Sequence, residues 1–393
     1  MPLTVDITSN DRIVAYAGTS RMATVAFVVG GAHDSPMGFR ARAMATRLSD
    51  RYSIPIVYRS RSRLLSIVSV FTFLVRVRPD LVYLFDISYS GVLGATFYKL
   101  VFRKSLIIET GDAIVELVRS TGSRGKVGLG LTRLLENIAF RIADRIVVRG
   151  TFHKEYLSQQ GVEAEVIQDG VDTDSFTPED ASELRKQLGL EGVMTVGLIG
   201  SSVWSEKLQM CYGWDLVETL RLLKDRHVKG IMIGGGSGIS HLTALSRQYE
   251  IEDKILFLNH VPYQELPHYL NLMDICLSTQ TNNLVGQVRT TGKLPLYLAT
   301  GRYILASDVG EATLVLKPEM RVAYDGDKDL EYPQKLKRRI ETIMEHPEML
   351  SVAANNVALA KKHFDYAILA ERMESLIEAT ITNGNPEELN NRV

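Results

Sequence analysis

Short runs in which apolar residues predominate punctuate the first part of the chain, at 24–30, 54–58, 81–85, 105–108, 145–148 and 165–167. They are uninterrupted rather than alternating, and too short for buried helices, which predicts strands covered on both faces. Between them, apolar residues recur with the helical period over 39–48, 63–75, 91–102, 127–142 and 152–159. Strand and helix in strict alternation mean a parallel sheet flanked by helices. DGVDTDSFTPED, residues 169–180, interrupts the pattern with acidic and turn-forming residues. A second alternation then predicts strands at 194–199, 230–233, 255–258, 275–278 and 303–307, with helices over 207–225, 239–249, 264–272 and 292–300. Helices over 332–346, 349–364 and 365–383 follow, and 384–393 is a polar tail. The expected fold class is α/β, with one doubly wound parallel-sheet domain over 1–168 and a second over 169–364.

At 393 residues the chain is long for a single core, and 45% apolar with 23% charged residues is the composition of a soluble globular protein. The net charge of −1 hides an asymmetry. Through residue 168 there are 22 Lys and Arg against 14 Asp and Glu, and after it 23 against 32. A basic N-terminal half suits a membrane surface, a lipid phosphate or a charged substrate, and is too diffuse to indicate nucleic acid. The two cysteines, Cys211 and Cys276, stand in apolar surroundings, so core positions and a reducing, cytoplasmic setting are expected. Asp6, Asp11 and Arg12 interrupt the start, giving no expectation of a signal peptide. The longest apolar run, 64–75, falls well short of the roughly 20 residues that span a bilayer. Its flanks carry Arg59, Arg61, Arg63, Arg76 and Arg78, so this helix either rests on an anionic membrane or packs on the sheet with its arginines reaching outward.

Candidate chemistry concentrates in 285–310, VGQVRTTGKLPLYLATGRYILASDVG. Arg289, Thr290 and Thr291 precede a helix opening near Gly292 and Lys293, where first-turn amides and cations make an anion site. The alternative is an ordinary connection whose threonines cap the helix. GGAHDSPMG after the first strand opens a Rossmann-like unit without the GxGxxG spacing, and His33 and Asp34 there read as surface positions. Asp112 follows a strand and either orients or deprotonates a hydroxyl, or caps the helix DAIVELV. The glycines 234–236 and 238 fit a nucleotide loop or a tight strand-to-helix turn.

Several stretches together resemble the retaining, GT-B-fold glycosyltransferases of family 4 (group 1). VIQDGVDTDSFTP resembles that family's interdomain signature I-P-N-G-V-D-T-x-x-F-x-P, with IVVRGTFHKEYL before it. VGLIGSSVWSEK is similar to its first C-domain strand and phosphate loop, IMIGGGSG to its V-G-x-G-P strand end, and FLNHVPYQELPHYLNLMDICLS to its G-x-V-x-x-x-E-L segment. GKLPLYLATGRYILASDVG resembles its K-L-x-E-Y-M-A-x-G-x-P-I-V-A-S-D-x-G block. The resemblance spans most of 23–382 and is denser in the C-terminal half.

The resemblance implies two Rossmann-like domains facing across a cleft, with the final helix, 365–383, crossing back to the acceptor-binding N-terminal domain. The implied reaction moves a sugar from a nucleotide-sugar to a glycan, lipid-linked or small-molecule hydroxyl acceptor with retention of configuration, in polysaccharide, glycolipid or other glycoconjugate synthesis. Lys207 falls on the lysine that neutralises the donor pyrophosphate. Gly38, Gly200, Thr290 and Thr291 fall in donor-contacting loops. The arginine expected five residues before that lysine is Ser202, and the two glutamates of the E-x7-E motif fall on Val288 and Leu296. Arg289 and Lys293 then supply charge in place of the arginine, and Gln287 a polar contact. No cofactor and no metal are implied, the nucleotide-sugar being substrate. Contact with an anionic membrane at the cytoplasmic face is part of the same expectation. A catalytically silent GT-B subunit, or a GT-B-fold sugar-nucleotide epimerase or hydrolase, are the competing classes.

Overall fold

The structure is a computed structural model and describes residues 22–60 and 63–384. The lead-in before residue 22, the expected absence of a leader there, Arg61 and the tail from 385 lie outside the described residues. The chain divides into two units, one of residues up to 170 with 288–290 and those from 366 on, the other of 171–287 and 291–365.

The first unit is built on β1 (Val25–Val29), β2 (Ile56–Tyr58), β3 (Leu81–Phe85), β4 (Ser105–Thr110), β5 (Arg145–Val148) and β6 (Glu165–Val166). These pair in parallel in the order β2-β1-β3-β4-β5-β6, with Val25 opposite Leu81 and Leu81 opposite Ser105. All five residues of β1 and of β3 are buried, which is why those stretches read as solid apolar runs. Successive side chains point to opposite faces. Ala26, Val28, Val82 and Leu84 meet α2 (Arg63–Val77), α3 (Tyr89–Phe102) and α5 (Lys126–Ile142) on one face. Phe27, Val29, Tyr83 and Phe85 meet α1 (Pro36–Leu48) and α16 (Tyr366–Gly384) on the other. The final helix therefore belongs to this unit's core, through Leu369, Met373 and Ile377. Short α4 (Ile114–Thr121) precedes α5, and α6 (Thr151–Ser158) joins β5 to β6.

The second unit repeats the plan with β7 (Met194–Ile199), β8 (Val228–Ile233), β9 (Ile255–Leu258), β10 (Ile275–Ser278), β11 (Tyr303–Ser307) and β12 (Arg321–Val322), all parallel, in the order β12-β11-β10-β7-β8-β9. In chain order its helices are α7 (Ser182–Gln187), α8 (Trp214–Leu222), α9 (Ile239–Gln248), α10 (Leu266–Leu270), α11 (Leu284–Val288), α12 (Lys293–Ala299), α13 (Ala312–Val315), α14 (Tyr332–Glu345) and α15 (Asn356–His363). Strand order reverses between β7 and β10, and ligands of open α/β sheets bind outside the strand C-termini at such a point.

Two helices differ from the sequence pattern. The one expected over 207–225 begins only at Trp214, because Gln209 (φ 49°) and Gly213 (φ 98°) are left-handed and cannot continue a helix. Residues 205–210 instead close a small antiparallel bridge between Ser205 and Met210. The helix expected over 349–364 is a 3-10 stretch, Pro347–Asn355, followed by α15. Cys211 and Cys276 are buried and unbridged. Among the described residues no helix is long and apolar enough to cross a membrane.

Candidate functional site

In the second unit, the loops after β7 and β8 are pressed together at the point of strand reversal. Gly234 has φ 128°, and a Cβ there would lie 2.1 Å from the Gly200 carbonyl oxygen, so only glycine fits. Ser202 is wholly buried, and its Oγ donates to the Tyr212 carbonyl at 2.7 Å, tying the loop back on itself. The Tyr212 hydroxyl donates to the Leu277 carbonyl of β10 at 3.3 Å, which lays its ring across the ends of β7 and β10. Lys293, the first residue of α12, holds its Nζ 3.6 Å from the centre of that ring. The same ring and ammonium flank Gly200, where a Cβ would meet them at 3.1 and 3.6 Å. A cation is thus seated beside a glycine turn at the ligand-binding edge of the sheet.

The neighbouring polar groups are mostly committed. Gln287 Oε1 accepts from Gly310 N at 3.0 Å and its Nε2 donates to Asn282 at 2.9 Å. Gly292 caps α12 without a side-chain bond, so neither Thr290 nor Thr291 caps it. Lys207 stands exposed on the 205–210 turn. Beneath this edge, Asp215 in the first turn of α8 is buried with Oδ1 lacking a partner. Burial, reinforced by Asp329 and opposed by the Thr279 hydroxyl and Lys328, pushes its carboxyl up to about 7.

The first unit carries a charge lattice at its strand C-termini. Glu109 is fully buried at the end of β4. It accepts from Arg40 Nε at 2.9 Å, Arg149 Nε at 3.1 Å and the Tyr83 hydroxyl at 2.8 Å. Burial would raise its carboxyl, but the two guanidiniums and the hydrogen bonds from Arg40 and Tyr83 outweigh it and hold the group below the usual range. Arg149 Nη2 reaches Asp86 at 2.8 Å, and its Nε lies 3.8 Å from Asp169. Asp112, just past the end of β4, is gripped by Arg289, with Nε to Oδ1 at 2.6 Å and Nη2 to Oδ2 at 3.4 Å. Against the cost of burial, Arg289 first and Arg149 with it lower the Asp112 carboxyl. Thr290 Oγ1 donates to Asp169 at 3.0 Å. Asp112 does not cap α4, whose cap residue, Ala113, makes no side-chain bond. His153 on α6 is buried with Nδ1 unpartnered, and burial lowers its imidazole to about 4.

No protein-family model matches the sequence, and a search of curated proteins found no match. Solved structures do match. HepE of Anabaena in complex with UDP is 16% identical, with TM-score 0.69 over 91% of this chain and all of that one. Sucrose-phosphate synthase of Thermosynechococcus elongatus is 14% identical, with TM-score 0.72 over 91% of this chain and 98% of that one. A glycosyltransferase of Rickettsia africae is 13% identical, with TM-score 0.68 over 93% of this chain and all of that one. The chain has the GT-B fold.

Within the GT-B frame the sequence-derived residues separate. Gly200, Ser202 and Lys293 come together in the second unit. Asp112, Arg289 and Thr290 join the first unit's lattice. Gly38 lies in the first turn of α1, where a Cβ would fall 2.1 Å from the His33 carbonyl, so its freedom serves the close approach of that loop. Val288 and Leu296, at the positions of the missing glutamates, are buried. Sequence reading missed Arg40, Glu109, Arg149 and Tyr212. A charged residue closing an apolar triplet, as in LIIE and IVVR, was the available signal for Glu109 and Arg149. Among the described residues no three His, Cys, Asp or Glu cluster as a metal site would need.

Proposed function

We propose that this GT-B protein is a glycosyltransferase that moves a sugar from a nucleotide-sugar to a hydroxyl acceptor with retention of anomeric configuration. The observation that carries the reading is the Lys293 ammonium beside Gly200 at the strand reversal of β7 and β10. There it would meet a diphosphate and stabilise it most as the bond from the anomeric carbon to the phosphate oxygen breaks and negative charge grows on the leaving group. Lys207, on the loop that follows Gly200, is the second cation in this reading, and the seven-residue α12 adds only a slight dipole. The acceptor hydroxyl forms the new bond to carbon, and its proton passes to the departing phosphate or to water. Asp112, held well ionised by Arg289, is a weak base and serves by accepting a hydrogen bond from that hydroxyl. Phosphate charge is met by lysine, so the reaction runs without a metal and survives chelation. Its setting in this reading is cytoplasmic glycoconjugate synthesis.

UDP- and UDP-glucose-bound HepE support a nucleotide-sugar donor. The test is release of nucleoside diphosphate from a panel of UDP-, GDP-, ADP-, TDP- and CDP-sugars, with and without added acceptors, and chelator in a parallel set. One nucleotide family should turn over, about 100-fold more slowly in Lys293→Ala, and NMR of the product should show the donor's anomeric configuration. A second reading, a nucleotide-binding subunit without turnover, draws on Ser202, Val288 and Leu296, which bury apolar or self-bonded groups where charge is expected. Nucleotide binding with no release from any donor would select it.

A further inference from the structure

The outer surface of the helical layer formed by α2, α3 and α5 is apolar where a solvent face should be polar. These helices cover one face of the first unit's sheet, with α3 packed against both of the others, so their outward sides share one surface. Among the described residues, nine of the thirteen exposed large apolar side chains lie on these three helices. On α3, Phe97, Leu100 and Val101 follow the i, i+3, i+4 spacing of one face, opposite the buried Val92, Ala95 and Tyr98. On α5, Val127, Leu131 and Leu134 do the same at i, i+4, i+7, and Val127 is 79% exposed. Leu65 and Val68 extend the surface onto α2. Each helix thus has an apolar stripe facing the sheet and another facing out. Isolated exposed apolar residues are ordinary, but a clustered set marks an interaction surface.

The exposed charges around it are mostly basic. Arg76, Arg103, Lys126, Arg133 and Arg141 are exposed on or beside these helices. Every nearby acid is already engaged. Glu136 accepts from the backbone of Ile114 and Val115, Asp144 holds Lys99 at 2.6 Å, and Asp80 pairs with Lys104 at 3.4 Å. An apolar face bordered mostly by cations fits an anionic bilayer whose surface charge meets the border while its acyl boundary takes the Leu, Val and Phe side chains. We infer that the outer face of α2, α3 and α5 docks this protein on an anionic lipid bilayer. The inference is independent of the reaction above, since it needs neither donor nor acceptor.

The test is sedimentation of the full chain with vesicles of phosphatidylcholine alone or with about one-third phosphatidylglycerol. Binding to the anionic vesicles should exceed binding to neutral ones at least about tenfold at low salt and fall steeply in about 0.5 M salt. Leu100→Glu with Leu131→Glu should reduce anionic binding about tenfold or more. Both sites are exposed, so circular dichroism should be unchanged. Arg133→Glu with Arg141→Glu should abolish the preference for anionic vesicles while sparing residual binding to neutral ones. Equal binding to both vesicle types, or parental binding by the Leu100/Leu131 variant, would overturn the inference. So would self-association of the parent in light scattering that this variant abolishes, with no vesicle binding, because the face would then join two copies.

Discussion

The two sheets share one plan, yet the edges where ligands would bind are built from opposite materials. In the first unit Arg40, Arg149 and Arg289 interlock with Glu109, Asp86, Asp112 and Asp169, so charge is spent on charge and little is left over. In the second, a glycine turn, a tyrosine ring and the Lys293 ammonium occupy the equivalent edge, while that unit's Arg185–Asp274 and Lys335–Asp329 pairs involve none of these residues. A self-compensated lattice fixes shape and suits a neutral, hydrogen-bonding ligand such as a sugar hydroxyl. A cation over a ring beside backbone suits an anion. The difference teaches that one sheet plan can carry two edges of opposite charge balance.

The comparison breaks most visibly at Glu109. Glu109→Ala leaves two guanidiniums buried without their shared anion and should cost about 3–5 kcal/mol in chemical denaturation, whereas an equal loss is not expected from any single charge near Lys293.

pH separates the units next. Asp215, raised to about 7, keeps its proton longer folded than unfolded, so its contribution is full below the unfolded value near 3.8 and is lost as pH rises through 7. At about 1.4 kcal/mol per pH unit between the two values, the loss is on the order of 4 kcal/mol, and Asp215→Asn should flatten it in urea titrations from pH 4 to 8. His153 runs the other way. Its folded value of about 4 lies below the unfolded 6.5, so stability falls as pH drops through that window, by on the order of 3 kcal/mol. His153→Gln should remove that acid-side slope and leave the alkaline side unchanged.

A smaller effect should come from Lys207→Ala. Lys207 stands exposed on a turn, so thermal stability should move by no more than about 0.5 kcal/mol and nucleotide affinity by less than in Lys293→Ala.

Much of this was legible in the residues. Apolar runs located every strand except the two-residue β12, most plainly at β1 and β3, where burial of all five residues leaves no polar alternation to confuse them. The late start of α8 was not legible, since the left-handed backbone at Gln209 is a local solution that periodicity does not see. Lys293 and Gly200 could be named from sequence, but not the Tyr212 ring beside them, which depends on a bond to β10 far along the chain. Arg289 looked like a donor-site cation, and its bond to Asp112 spans 177 residues. The buried lattice was hardest, because Arg40 sits in an amphipathic helix where an inward charge resembles a break in the pattern.

The most direct test of the central claim is calorimetric titration of the purified chain with UDP, GDP, ADP, TDP and CDP, repeated with Lys293→Ala. One nucleoside diphosphate should bind, and at least about tenfold more weakly to the variant while the thermal midpoint of the ligand-free protein stays put. Binding of none of them, or equal binding by Lys293→Ala, would contradict the assignment of the second unit's edge as the donor-phosphate site.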